Sequence, residues 1–167
     1  VYRRQVWQKA RLAIEANRPE VARKAVGLLS ADLGKQVSVL NGNPARYLAQ
    51  SASSDDRQSQ ELALLAIIKL ASSDADSAAA QLKGGWERRL TAEERAWAWG
   101  QIGKQATLSL SGQALGYFTQ VKSRDLNTDH LIWKTRAALR AGDWAQVKES
   151  IEAMDRETRS DLSLIHI

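Results

Sequence analysis

The most regularly spaced charged side chains are three arginines, Arg4, Arg11 and Arg18, which recur every seven residues. Seven residues are close to two turns of an α-helix, so within a helix these side chains would lie along one ridge. Arginine presents a planar fork of donors that binds carboxylates and phosphates in a bidentate manner. The row therefore predicts a ligand-binding ridge, and its alternative interpretation is an ordinary solvated helix face.

Paired carboxylates are the usual tools of general acid and base chemistry. The sequence contains three such pairs, Asp55/Asp56, Asp74/Asp76 and Glu93/Glu94. Each pair lies at the start of a predicted helix, where a negative charge meets the positive end of the helix dipole. Helix capping therefore explains the pairs better than catalysis does.

A metal or cofactor site has little support in the sequence. There is no cysteine, so disulfides and zinc sites built on thiolates are excluded. His130 has no second histidine four residues later, which favours a structural role at the surface or half-buried. The nucleophile-elbow, dinucleotide-binding and P-loop patterns are absent. We therefore predict no metal and no cofactor. Gly84 and Gly85 are predicted to form a loop, because no strand precedes them as a phosphate-binding turn would require.

The distribution of charge along the chain indicates which kinds of partner it could attract. The chain of 167 residues carries +5, and residues 1–50 hold nine Lys or Arg against three Asp or Glu. An anionic partner would therefore meet the N-terminal third. Nucleic acid remains a weaker alternative, because no helix-turn-helix spacing or aromatic-basic interleaving accompanies the charge. No apolar run approaches the roughly 20 residues that a transmembrane helix needs.

Six tryptophans are many for this length. Trp7 falls on the apolar stripe of its helix, which predicts a core position. Trp97 and Trp99 are two residues apart and must point to different sides of a helix. For Trp86, Trp133 and Trp144 a core or interface position is expected.

The elements that position these residues come from a repeated motif. Residues 11–29, "RLAIEANRPEVARKAVGLL", align with residues 136–154, "RAALRAGDWAQVKESIEAM", at an offset of 125. Asn17 aligns with Gly142 between the two helical runs, and both residue types tolerate the left-handed conformation that ends a helix. Pro19 and Asp143 suit the start of the following helix. Each stretch is therefore predicted to be two helices joined by a tight turn.

Similar pairs recur between these ends, and Thr91 with Glu94 has the spacing of a capping box. About five hairpins of roughly 25 to 35 residues are typical of a helical solenoid. The predicted fold is all-α, a right-handed superhelix of about five stacked hairpins that is tetratricopeptide-like but irregular.

The run "AWAWGQIGKQATLSLSGQALGYFTQVKSRDLNTDHLIWKTRAALRAGDWAQVKESIEAM" and the stretches "YRRQVWQKARLAIEANRP" and "LNGNPARYLAQ" resemble the helical region of soluble lytic murein transglycosylases. The resemblance implies a curved superhelix that supports a C-terminal, lysozyme-like catalytic domain in the periplasm. The full enzymes cleave the glycan strand of peptidoglycan with one catalytic glutamate in a Glu-Ser pair, followed further on by Gly-Leu-Met-Gln.

Here Glu149 and Ser150 form such a pair, but they lie inside the repeated hairpin and no Gly-Leu-Met-Gln exists. The pair is interpreted as a coincidence, so no catalytic residue is predicted and the segment itself is expected to be inactive. Residues 1–161 are predicted to be a superhelical segment of a larger protein. Residues 162–167, which include "SLIHI", are interpreted as a tail left by cloning or sequence assembly. The alternative function is a tetratricopeptide-like adaptor that binds a protein or peptide.

Overall fold

The computed structural model describes residues 2–53 and 55–155, and within them the regular structure is helical, with no strand. This confirms the all-α prediction. The tail at residues 162–167 lies outside the described residues. No helix in the described ranges has the length and apolarity needed to cross a membrane.

Two compact units divide the chain, one at Val1–Leu90 and one at Thr91–Ile167. The described helices of the first unit are α1 (Tyr2–Glu15), α2 (Pro19–Gly27), α3 (Ala31–Gly42), α4 (Pro44–Gln50), α5 (Arg57–Ser73), α6 (Ala75–Gln81) and α7 (Glu87–Arg89). In this unit α1 packs against α2 and α5, and α5 also contacts α3, α4 and α6. The central part of α5, residues 62–68, is buried all round and forms the core.

The second unit contains α8 (Ala92–Leu108), α9 (Ala114–Phe118), a 3₁₀ turn (Ser123–Asp125), α10 (Thr128–Ala141) and α11 (Trp144–Ala153). Here α8 packs against α9 and α10, while α11 contacts α10 and the 3₁₀ turn. Trp99, Ile102 and Phe118 are fully buried and anchor this core.

Capping explains where several helices begin. The Asp56 carboxylate accepts hydrogen bonds from the backbone N–H groups of Gln58 and Ser59 at the start of α5. Asp74 caps α6 in the same way. Thr91 and Glu94 form the predicted capping box, with hydrogen bonds in both directions. The interpretation of the carboxylate pairs as helix caps is thus confirmed for Asp56, Asp74 and Glu94.

The repeated junction is confirmed in the backbone. Asn17 (φ 55°) and Gly142 (φ 69°) are both left-handed. After Asn17 the N–H of Arg18 donates to the Ala13 carbonyl at 2.8 Å, and after Gly142 the N–H of Asp143 donates to Ala138 at 3.0 Å. These are the same helix-ending bonds at aligned positions.

A third copy of this junction ends α8, and the sequence did not signal it. Leu110 is left-handed (φ 62°). The N–H of Ser111 donates to the Ala106 carbonyl at 2.8 Å, as in the other two junctions. Leucine is poorly suited to this conformation because its Cβ crowds the backbone, so the position carries strain.

The predicted loop at Gly84 and Gly85 is wrong in detail. Residues Leu82–Trp86 form a widened, π-type helical turn, and only Gly85 leaves helical geometry (φ 159°, ψ −29°). The turn holds Trp86 in the core of the first unit and connects α6 to α7.

Candidate functional site

A polar cleft of about 450 Å³ opens in the second unit. Its walls are the first turn of α8, the segment after α9, the 3₁₀ turn, and the facing sides of α10 and α11. The lining residues are Ala92, Arg95, Thr119, Gln120, Val121, Lys122, Asp125, Lys134, Gln146 and Glu149. A volume of this size accommodates a small ligand or part of a polymer. We call it the polar cleft.

Two of the lining residues, Lys134 and Glu149, form a hydrogen-bonded trio with the buried Ser123. The Lys134 ammonium donates to the Ser123 hydroxyl at 2.6 Å, and that hydroxyl donates to Glu149 Oε1 at 2.7 Å. Lys134 Nζ also lies 3.7 Å from Glu149 Oε1. The lysine side chain is 1% exposed, so its charge is acceptable there only because these partners surround it.

The pKa values of the trio follow from this geometry. Burial lowers the pKa of Lys134 below its usual range, and the nearby Glu149 carboxylate partly opposes that effect. The hydrogen bond from Ser123 lowers the pKa of Glu149, and the Lys134 ammonium acts in the same direction. Glu149 is therefore an ionised carboxylate at neutral pH and holds no proton to donate.

The outer part of the polar cleft offers both donors and acceptors. Lys122 is exposed and forms no ion pair among the described residues. The Gln146 amide donates to Glu149 Oε2 at 3.2 Å, and the Glu149 side chain is 50% exposed, so its carboxylate can also accept from a ligand. A ligand with hydroxyl groups, each both donor and acceptor, would match such a lining.

Sequence reasoning missed this cleft. Lys134 lies on the buried side of α10, three residues after the buried Leu131, and a lysine is rarely expected at such a position. Ser123 lies in a short turn without any motif. The only signal in the sequence is the spacing, because residues three apart on a helix lie on the same face, so Lys134 shares the face of the apolar Leu131.

The predicted arginine ridge does not form as one exposed row. Arg4 and Arg18 are exposed, but Arg11 is 3% exposed and its guanidinium binds both oxygens of Glu61, at 3.1 and 2.9 Å. Arg57 donates to the same carboxylate at 3.1 Å. The expectation that Arg11 lies on the solvated face is wrong, because its guanidinium is buried in an ion pair with Glu61 of α5. Ligand binding by Arg4 and Arg18 stays a prediction.

His130 is fully buried, which corrects the predicted surface or half-buried position. Its ring packs over Gly100, where a Cβ atom would overlap it, and meets the edge of Trp97 with centroids 6.0 Å apart. The ring nitrogen Nε2 lies 3.3 Å from Gln101 Oε1. Burial lowers the pKa of His130 to about 4, so the ring is neutral and structural at neutral pH.

The tryptophans divide between core and surface. Trp7 and Trp86 are buried, as expected. Trp99 stacks on Tyr117 while Trp97 contacts His130, which confirms that the two point to different neighbours. Trp133 is half-buried, with the Arg136 guanidinium 4.5 Å from its ring centroid. Trp144 is 70% exposed, so no core position exists for it within the described chain.

A metal centre has no support in residues 2–53 and 55–155, where no three His, Cys, Asp or Glu side chains are grouped closely enough to hold an ion.

Glu149 and Ser150, the pair singled out in the sequence, lie in different surroundings. Glu149 lines the polar cleft, while the Ser150 hydroxyl is buried and donates to the backbone carbonyl of Gln146, one turn earlier in α11, at 2.7 Å.

Comparison with known proteins gives a likeness of fold. No protein-family model matches the chain, and no curated protein matches it. Among solved structures it is similar to an inactive mutant of the lytic transglycosylase Slt from Pseudomonas aeruginosa, with 22% sequence identity and a TM-score of 0.67. The match covers 92% of this chain and 26% of that one, so the chain spans about a quarter of its neighbour. The chain therefore has a helical fold that is found in a lytic transglycosylase.

Proposed function

We propose that this chain is a non-catalytic scaffold segment of a larger periplasmic lytic murein transglycosylase. In this proposal its paired helices stack as a right-handed superhelix. The scaffold supports glycan-strand cleavage by a catalytic domain that follows it in the same polypeptide. The observation that carries the proposal is the likeness of fold to Slt along 92% of this chain.

The polar cleft is the part of the chain best suited to touch peptidoglycan. Glycan strands carry hydroxyl and acetamido groups, and their peptides carry carboxylates. Lys122 can pair with a carboxylate, while the half-exposed Glu149 carboxylate can accept from hydroxyls. The cleft therefore suits a mixed polar ligand better than a purely anionic one.

The protonation state of Glu149 supports an inactive role. Cleavage of a glycosidic bond requires a carboxylic acid that protonates the leaving oxygen, and such an acid has a raised pKa. Ser123 and Lys134 lower the pKa of Glu149 instead. Its partners thus tune this residue for ion pairing and not for proton donation.

The test is incubation of the purified chain with murein sacculi, followed by sedimentation and chromatography of the soluble products. We expect the chain to sediment with the sacculi and to release no anhydromuropeptides. Lys122→Glu should weaken sedimentation several-fold, whereas the matched surface variant Lys35→Glu should not. Product release would refute the inactive role. Failure to sediment, or equal loss in both variants, would refute contact through the cleft.

A further inference from the structure

An apolar groove of about 430 Å³ lies on the outer face of α1 and α2 in the first unit. Its floor and rims include Tyr2, Val6, Val21 and Leu28, and two lysines, Lys9 and Lys24, border it. Tyr2, Val21 and Leu28 are 58%, 40% and 71% exposed. A contiguous apolar patch beside charged residues marks an interaction surface. We call it the α1–α2 groove.

The internal repeat indicates what kind of element covers this face. At the offset of 125, Val6 corresponds to Leu131 and Lys9 to Lys134. In the second unit α8 packs against α10, and Ser123 of the 3₁₀ turn accepts a hydrogen bond from Lys134 on this face. Leu131 is 3% exposed there, and the Lys134 side chain is 1% exposed. The same face of the repeated hairpin is thus built to receive a helix.

Charge distinguishes the α1–α2 groove from the aligned face of α10 and α11. In the second unit Lys134 has an acidic neighbour on α11, because Glu149 lies 3.7 Å away. The residue of α2 that aligns with Glu149 is Lys24, so the α1–α2 groove is lined by two cations, Lys9 and Lys24, where the second unit has a cation and a carboxylate. Neither Lys9 nor Lys24 forms an ion pair among the described residues. Whatever covers the α1–α2 groove has to supply the acidic groups.

We propose that the α1–α2 groove binds an amphipathic α-helix of a partner protein, with an apolar face and carboxylates directed at Lys9 and Lys24. The apolar face would cover Tyr2, Val21 and Leu28, which is helix-in-groove recognition. A second copy of this chain is a poor occupant. A two-fold interface pairs a patch with itself and would bring the lysines of both copies together.

A peptide based on α8 can test binding to the α1–α2 groove, because α8 packs against the aligned helix α10 in the second unit. In the second unit Ala92 and Arg95 of α8 line the polar cleft together with Lys134 and Glu149, the counterparts of Lys9 and Lys24. A fluorescent peptide of residues 91–108 with A92E and R95E therefore directs two carboxylates at the groove lysines. Fluorescence anisotropy with the full chain should give roughly tenfold tighter binding for this peptide than for the unsubstituted one.

Variants locate the binding. K9E/K24E should remove the preference for the acidic peptide. It should also bind a basic peptide that carries A92K more tightly than the original chain does. A misfolded variant would not gain this affinity, so the result would show that the charges act directly. V21S/L28S should weaken binding of both peptides at least tenfold. The control variants K35E/R88E and V39S/L108S change exposed basic and apolar residues outside the groove and should bind like the original chain.

Three results would overturn the proposal. The first is equal affinity for the acidic and the unsubstituted peptides, or binding of neither. The second is an equal loss of binding in groove and control variants. The third is a dimer in sedimentation velocity that V21S/L28S dissociates, because the groove would then belong to a second copy.

Discussion

The buried His130 should make the stability of the second unit depend on pH. Its pKa is lowered from 6.5 to about 4, because burial beneath α8 disfavours the imidazolium, and the Asp129 carboxylate only partly compensates. The folded state therefore binds fewer protons than the unfolded state between these two pH values. Stability is complete above pH 6.5, falls as the pH drops towards 4, and changes no further below that through this residue.

The size of the effect follows from the shift. Each pKa unit corresponds to about 1.36 kcal/mol, so the full loss for a shift of this size is roughly 3.4 kcal/mol. At pH 5 the same linkage gives a loss of about 2 kcal/mol relative to pH 7.5. Most carboxylates are still ionised at pH 5, so this window isolates the histidine.

The assay is urea unfolding at pH 7.5, 6.5, 5.5 and 5.0, followed by tryptophan fluorescence and circular dichroism. The control is His130→Gln, which cannot titrate and places at this position the residue found at the aligned Gln5. We expect the variant to lose about 2 kcal/mol less than the original chain between pH 7.5 and 5. Equal losses in both proteins, or an NMR titration of His130 near 6.5, would refute the reasoning.

Three further substitutions test the fold. Leu110→Gly should stabilise the chain by about 0.5–1 kcal/mol, because relief of the left-handed conformation exceeds the entropy cost of glycine. Gly103→Ala should cost about 1–3 kcal/mol, because the new Cβ would lie 2.8 Å from the buried ring of Phe118. Arg11→Ala should cost about 3 kcal/mol by removing a buried partner of Glu61. Urea unfolding at pH 7.5 measures all three.

Matched controls accompany these substitutions. Leu108→Gly, at a helical and exposed position, should destabilise by about 1 kcal/mol, opposite in sign to Leu110→Gly. Gly27→Ala meets no atom within 4 Å and should be tolerated. Arg46→Ala, at an exposed arginine, should change stability by less than about 0.5 kcal/mol. A control that behaves like its test variant would contradict the corresponding explanation.

Local features of the fold were predictable because their causes are local. Asn17, Gly142 and Thr91 signal a helix end or a helix start by their own chemistry, and the structure confirms all three. Leu110 ends its helix in the same way without such a signal. Its conformation is set by the repeated junction and not by leucine, so no propensity rule finds it.

Long-range charge pairing was not predictable from spacing. Arg11 and Glu61 are 50 residues apart, and nothing in either local pattern links them. Lys134 and Ser123 meet only because α8 and α11 each contact both α10 and the 3₁₀ turn. A charged residue on a helix is expected to be exposed, and only the tertiary partner decides otherwise. The polar cleft therefore became visible only in the folded chain.

We propose that the chain holds peptidoglycan through the polar cleft without cleaving it. The most direct measurement is an NMR titration of the ¹⁵N-labelled chain with soluble, uncrosslinked glycan strands that still carry their peptides. We expect saturable shifts concentrated at Gln120, Lys122, Asp125 and Gln146, with the glycan intact at the end of the titration. Shifts confined to other surfaces, no shifts at millimolar glycan, or shortened strands would contradict it.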